Sequence, residues 1–307
     1  MFRFALRRIL ETIPVLFAVA SITFFMLKAA PGGPFDSDRD PPESVKKKLD
    51  EFYGFDKPWY QQYFIQMRNL IRGELGYSFK YPNRTVNGVI SEAAPVSLEL
   101  GLYALTVSIC IGLFAGILAS LKPNTMLDYI PSSLSMIGIC LPTFLLGPIA
   151  ILVFTLNLEW FPLAGWSTPA SKVLPAFTLG LYYAAYVARM ARGGMRDILN
   201  QDFIRTARAK GANESRVIFR HAIKGGIMPV VSFLRPAAAG LIAGSFVIET
   251  VFYIPGLGQH FVKSAFDRDY TMVMGVVLFF ATLIVVLNLV SDIIMVWLNP
   301  KLKFDHD

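Results

Sequence analysis

The stretch from Leu100 to Leu121 contains no charged residue and is bracketed by Glu99 and Lys122. An uncharged apolar run of that length is what a helix needs to cross the hydrocarbon layer of a bilayer. The pattern recurs along the chain. Thr12 to Leu27 is uncharged between Glu11 and Lys28, Tyr129 to Leu158 is uncharged, and Tyr270 to Ser291 is uncharged up to Asp292. With 54% of residues hydrophobic and only 17% charged, the chain reads as an integral membrane protein rather than one or two soluble domains. Segments from about Val173 and from Ile227 to Tyr253 bring the expected number of spans to six.

A net charge of +7 is then to be read by side of membrane, not as affinity for nucleic acid. Between two apolar segments lie Arg192, Arg196, Arg205, Arg208, Lys210, Arg216, Arg220 and Lys224, against the acids Asp197, Asp202 and Glu214. That bias over a short loop places it in the cytoplasm, and six spans put both termini there as well. Arg3, Arg7 and Arg8 before the first run also fit a secretory signal peptide. Lys28 at the end of the run, Pro31 after Ala29-Ala30 and the later spans favour a retained first helix.

Several chemistries are excluded early. Cys110 and Cys140 sit in apolar runs and read as small buried hydrophobes, not a disulfide. His221, His260 and His306 are too scattered for a metal site. No Gly-Lys dipeptide occurs, so a Walker A phosphate loop is absent and any ATP must be bound by another chain. A basic helix-turn-helix reading of the loop fails, because a segment with so little apolar content cannot build a domain core.

The chain divides into 1–30 (cytoplasmic N-terminus and first span), 31–95 (an extracytoplasmic insertion), 96–298 (the transmembrane core with a cytoplasmic loop 193–226) and 299–307 (a cytoplasmic tail). In the insertion, Pro31-Gly-Gly-Pro34 breaks the first helix and Glu43 to Tyr53 reads as amphipathic. Trp59, Tyr60, Tyr63, Phe64 and Met67 give a second helix an aromatic face suited to the headgroup level. Two helical patterns make this a small lid rather than a plain connection. Gly101, Gly112 and Gly116 supply a helix-packing surface. Pro131, Pro142 and Pro148 kink the long third run or lay its start along the interface, and Trp160, Phe161, Pro162 and Trp166 mark the outer interface.

Candidate path residues fall in the later spans. Tyr182, Tyr183 and Tyr186 form a polar-tipped stripe that either packs the bundle or lines a path. The fifth span holds Arg235 and Glu249, and ionisable groups at membrane depth face a cavity or a partner by default. They are about 21 Å apart along a helix axis, too far to pair. Arg235 can instead snorkel to the cytoplasmic side, and Glu249 can be structural. Glu249 is also a candidate for gating the outer mouth. Pro255, Gly256 and Gly258 form a turn that ends this helix and is a candidate gate, and Asp267-Arg-Asp-Tyr270 offers charge at the mouth of the last span.

Within the basic loop, Phe203, Ile204 and Ala207 share one face of a short helix. Gly211 suits the left-handed residue that ends it, and Asn213 caps a second helix running to about Ile223, with Gly225-Gly226 as its stop. Two short helices with a small-residue elbow suit docking into a partner's groove, the alternative being a solvated basic loop.

Phe203-Ile-Arg-Thr-Ala-Arg-Ala-Lys-Gly211 resembles the EAA loop of ABC importer permeases in its peptide-permease form. Arg7-Arg-Ile-Leu-Glu-Thr-Ile-Pro14 with Pro31-Gly-Gly-Pro34 is similar to the opening of B-type subunits, and Glu249-Thr-Val-Phe-Tyr-Ile-Pro-Gly-Leu-Gly258 to the turn before their last span. Arg205-Thr206 stands where the general pattern has Glu-Ala, and Lys224 where many relatives have proline. The resemblance implies an all-α bundle of the type I ABC-importer permease kind in a bacterial inner membrane. Its implied partners are a second homologous permease, two cytosolic ATPases carrying ATP and Mg, an extracytoplasmic peptide-binding protein and membrane lipid. Oligopeptides or dipeptides are the implied cargo, with nickel or glutathione as related substrates. In that frame Phe203, Ile204, Arg205, Thr206, Ala207, Arg208, Ala209, Lys210, Gly211 and Arg216 are the ATPase-coupling residues, Phe203 and Ile204 being the apolar anchors. Arg205, Arg208 and Arg216 are expected to meet acidic or polar groups of the ATPase. A self-contained secondary transporter would need internal repeats that are not visible. An intramembrane enzyme would need a His pair, Ser-His or Asp-Asp constellation, also not visible.

Overall fold

The computed structural model describes residues 2–30, 54–81 and 83–298, without the side chains of 2–9, 235, 242–244 and 296–298. The expected break at Pro31–Pro34, the helix at Glu43–Tyr53 and the 299–307 tail lie outside the described residues. Among the described residues all regular structure is helical, and one isolated bridge joins Tyr77 to Thr85. The helices are α1 (Phe2–Ala29), α2 (Trp59–Ile71), α3 (Val86–Leu121), α4 (Met126–Cys140), α5 (Thr143–Ala150), α6 (Pro169–Leu199), α7 (Asp202–Ala209), α8 (Glu214–Arg216), α9 (Ile223–Gly226), α10 (Met228–Val251), α11 (Leu257–Phe266) and α12 (Tyr270–Leu298). π-helical turns occupy Ile151–Asn157 and Val217–Ala222.

Among the described residues, four helical stretches are long and apolar enough to cross a membrane (Leu10–Ala29, Val86–Leu121, Glu214–Leu234 and Tyr270–Met295), and α4 with the α5 segment makes a fifth, broken one bent by 105°. The break falls at Leu141-Pro142, where proline at the N-cap of α5 ends the preceding helix. Pro131 and Pro148 stay inside their helices. The sixth passage is α6, which tyrosines and arginines make less apolar than the rest. It can afford this because about half of its residues are buried by other helices rather than by lipid.

The chain forms two compact units, one of Met1–Pro95 with Gly256–Val285, the other of Val96–Pro255 with Val286–Asp307. In the first, α2 turns part of its aromatic face onto α1. The Tyr63 ring lies 5.4 Å from Phe24 and 5.6 Å from Phe25, and its hydroxyl is 2.8 Å from that of Ser21. Asp269, read from the sequence as charge at a mouth, is fully buried. It accepts hydrogen bonds from the Ser78 and Thr271 hydroxyls and, at 3.1 Å, from the Met272 amide, so it caps α12.

In the second unit α6 is central. A reciprocal capping box between Thr168 and Ser171 starts it. Small residues then let backbones approach. A Cβ on Gly180 would strike the Ala104 carbonyl, one on Gly112 would strike Val187, and one on Gly116 the Ala188 carbonyl. Gly101 has open space around it and takes no part. The two cysteines are exposed, contrary to expectation. A helix face turned to lipid accepts a thiol as readily as a core does, so apolar sequence did not imply burial.

Candidate functional site

Arg189 and Arg192 belong to α6, which runs on to Leu199, so the basic loop proper begins at Asn200. Helix α7 ends in a Schellman cap. Gly211 takes φ +80°, its amide donates to the Arg208 carbonyl at 2.9 Å, and the Ala212 amide donates to the Ala207 carbonyl at 3.1 Å. Nothing lies within 4 Å of a Cβ placed on Gly211, so glycine is required there by backbone conformation and not by space. The Asn213 side chain then accepts from the Arg216 amide at 2.9 Å, capping α8 as expected.

The second loop helix does not stop at Gly225-Gly226. It passes through a π turn into α9 and, after Ile227, into α10. Those glycines serve packing instead. Gly226 and Gly194 of α6 abut so closely that a Cβ on either would collide with the other helix.

The coupling residues divide into two sets. Ile204 is fully buried with Met195, Val217 and Ala222, and Ile198 and Ala212 close the cluster. It therefore anchors the elbow to this chain and cannot anchor a partner, which corrects its pairing with Phe203. Phe203 is 50% exposed. Phe219, which sequence reasoning passed over, is 69% exposed. Its signal was present: Val217 and Ala222 carry the buried stripe, leaving Phe219 off it. Arg208 is also engaged within the loop. Its Nε and Nη2 donate to the two Glu214 carboxylate oxygens at 2.8 and 3.2 Å, bridging α7 to α8 across the elbow. Arg205 stands 3.5 Å from Asp202, both well exposed. Thr206, Ala209, Lys210 and Arg216 are exposed and Ala207 half-buried. The result is a basic surface with two exposed phenylalanines on a rigid elbow.

Arg192 forms a second anchor beneath the loop. It donates to both oxygens of buried Asp128, with Nη2 at 2.8 Å, and Asp128 also accepts from the Asn124 amide at 3.1 Å and the Ser132 hydroxyl at 3.2 Å. A cavity of about 170 Å³ beside this pair is lined by Gly116, Ser132, Ser135, Arg189 and Arg192.

The three candidate path residues are not brought together as one site. Glu249 is fully buried near the end of α10. Tyr186 stacks on Phe233 at 5.5 Å, and the Tyr182 and Tyr186 hydroxyls are 3.4 Å apart. The Tyr183 hydroxyl lies against Gly240, so that tyrosine packs α6 on α10. Arg235 lies in α10, its side chain outside the described residues. The Pro255-Gly256 turn does not terminate α10. Tyr253 does so, at φ +52°, with the Ile254 amide donating to the Glu249 carbonyl at 2.8 Å. Gly256 instead precedes α11 as its N-cap, and Gly258 is buried inside that helix.

A further polar cluster escaped the sequence. Glu99 accepts from Lys172 Nζ at 2.7 Å, from Trp166 Nε1 at 2.8 Å and from the Tyr103 hydroxyl at 2.8 Å. Trp166, expected at an interface, is largely buried here. Glu99 and Lys172 merely flanked apolar runs in sequence, with nothing to pair them.

Comparison with known proteins bears on this arrangement. The profile of the family described as "Binding-protein-dependent transport system inner membrane component" matches residues 108–304, and its N-terminal companion matches 1–101. Oligopeptide transport system permease protein OppB of Haemophilus influenzae is 40% identical over 306 residues, covering 99% of this chain and all of that protein. The OppB of Salmonella typhimurium is 41% identical over the same length. Dipeptide transport system permease protein DppB of Bacillus subtilis is 36% identical over 303 residues, covering 99% and 98% of the two chains. The inward-facing MetNI methionine ABC transporter aligns with TM-score 0.58 at 18% identity, over 69% of this chain and 96% of that one. An amino acid ABC transporter with histidines gives 0.52 at 15%, over 68% and 94%. At such identities these two speak for the fold alone. The helical bundle, the match of the family profile and the full-length relatives together assign the chain to the binding-protein-dependent transport system inner membrane components, as a permease subunit of an ATP-driven importer.

Proposed function

We propose that this chain forms half of the translocation path for oligopeptides or dipeptides, and that residues 203–223 receive the stroke of a separate ATPase. The observation that carries the coupling part is the elbow. α7 is tied to α6 through fully buried Ile204 and Met195, while Phe203, Phe219, Arg205 and Arg216 face outward from it. A surface that is both exposed and rigidly joined to a long helix suits a lever. ATP and Mg belong to two cytosolic partner subunits, the other half of the path to a homologous second permease, and delivery of cargo to an extracytoplasmic peptide-binding protein. Both termini lie in the cytoplasm. The names of the full-length relatives support peptide cargo.

Mechanistically, closure of the ATPase dimer favours one of two packings of the bundle, because the elbow fits the closed dimer in only one of them. Cargo contacts are shared by a roomy polar path, with Glu249 and Tyr186 as the candidate contributors. The test is reconstitution with the cognate subunits in proteoliposomes and measurement of uptake of di- and oligopeptides, with nickel and glutathione as comparison cargo. ATP-dependent peptide uptake that falls with Phe203→Ala and Phe219→Ala supports the reading. Uptake that persists without the ATPases, or of nickel alone, refutes it. Glu249→Gln with unchanged uptake across several peptides removes Glu249 from the path.

A further inference from the structure

The first unit contains two cavities that none of the foregoing uses. The first, about 400 Å³, is lined by Lys28 at the end of α1, by Lys57, and by Gln62, Gln66 and Asn69 of α2. Among the described residues no acidic side chain lines it. The second, about 790 Å³, is almost wholly apolar, with Ile13, Phe17 and Ala20 of α1 facing Leu278, Phe279 and Thr282 of α12. Both volumes fall within the range of small-ligand sites.

The two are stacked along one seam. On α1 the lining passes from Lys28, Leu27 and Phe24 to Ala20, Phe17 and Ile13 at helical spacing. On α12 it passes from Tyr270, Thr271 and Met274 to Leu278, Phe279 and Thr282. Cations and amides therefore mark the end of the apolar run, at headgroup level, and the apolar cavity lies deeper. The polar rim is held in place. Gln62 Nε2 donates to the Lys57 carbonyl at 2.7 Å and the Phe55 carbonyl at 3.2 Å, and Lys28 Nζ sits 5.0 Å over the Phe55 ring.

We propose that these stacked cavities bind one anionic phospholipid, its phosphate held by Lys28 and Lys57 and an acyl chain lying in the α1–α12 seam. A neighbouring protein helix is the poorer occupant, since an apolar span gains nothing by covering two ammonium groups. The tail alone gives no selectivity, because bilayer lipid is as apolar as the cavity wall. Discrimination has to come from the two lysines, and two cations at a surface favour an anionic headgroup by about tenfold or more.

The test uses the full-length chain in its assembled transporter, delipidated and loaded with phosphatidylglycerol or with phosphatidylcholine of the same chains, and read by native mass spectrometry. The wild type is expected to retain phosphatidylglycerol about tenfold over phosphatidylcholine. Lys28→Gln with Lys57→Gln should bring the ratio to within about twofold of unity. Thr282→Phe, at an exposed position, should lower retention of both lipids while keeping the ratio. Equal retention of both lipids by the wild type overturns the proposal, as does a preference unchanged in the double variant. So does binding of inorganic phosphate with no retained lipid, or a Thr282→Cys cross-link to a second permease chain in place of lipid.

Discussion

Gly211 tests the elbow most directly, because its cost can be separated from packing. At φ +80° a residue bearing a Cβ pays about 1–2 kcal/mol, asparagine less, and a β-branched residue at least the upper figure. No steric penalty adds to this, since nothing lies within 4 Å of the added Cβ. Opposing the strain are two cap hydrogen bonds, each worth about 1 kcal/mol net. The Arg208–Glu214 pair is solvent-screened and adds little. The local margin is thus about 2 kcal/mol, close to the valine penalty. Gly211→Asn should leave amide exchange at Ala212 within about twofold of wild type. Gly211→Ala should speed it about fivefold and Gly211→Val about thirtyfold, by the usual conversion of 1 and 2 kcal/mol. Coupled ATPase activity and peptide uptake in proteoliposomes should fall in the same order. Asparagine as damaging as valine, or valine with wild-type exchange and full uptake, would refute the reasoning.

Ile204→Ala should destabilise the chain by about 2–4 kcal/mol in a thermal melt, while Phe203→Ala leaves the melt unchanged and weakens ATPase co-purification; the reverse result would exchange their roles. Arg192→Ala leaves buried Asp128 without its counter-ion and should cost about 3 kcal/mol, largely recovered by adding Asp128→Asn. Unfolding measurements that show no recovery would mean Arg192 acts through packing instead. Burial, then Arg84 and Lys263, hold His260 below its ordinary value of 6.5, with Glu92 opposing. The neutral form is therefore favoured in the folded state, its stabilisation is present above pH 6.5, and it is lost as pH falls below that value. A melt of His260→Gln should be less steep with pH in that window, and an unchanged slope would count against it.

The spans were legible because they depend on local composition, apolar runs between charges. The Gly211 turn and the Asn213 cap were legible for the same reason, each being set by one residue's conformational preference. What sequence could not supply was partnership across distance. Glu99 and Lys172 are 73 positions apart and Asp128 and Arg192 are 64, so nothing local pairs them. The helix-face pattern of Phe203, Ile204 and Ala207 was sound, yet it could not say whether the face met this chain or another. Tyr253 misled for a different reason. Glycines three and five positions further on looked like the natural terminator, but the Schellman bond to Glu249 fixes the left-handed residue at Tyr253.

These anchors bear on how a push at the elbow reaches the bundle. Met195 of α6 shares a cluster with Ile204, so the elbow and α6 move together. Above that point Gly116 meets the Ala188 backbone, Gly112 meets Val187 and Gly180 meets the Ala104 backbone, all at distances that leave no room for a Cβ. Packed surfaces of this kind have discrete fits and do not slide by fractions of a turn. Arg192 on Asp128, and Lys172 on Glu99, fasten the same helix near both ends. Compliance is expected outside that cluster, where helical hydrogen bonding is already irregular: the 105° break at Leu141-Pro142 and the π turn at Ile151–Asn157. On the proposed coupling, a force on the elbow would turn α6 with its α3 seam as one body, and the change of shape would be taken up at those two places.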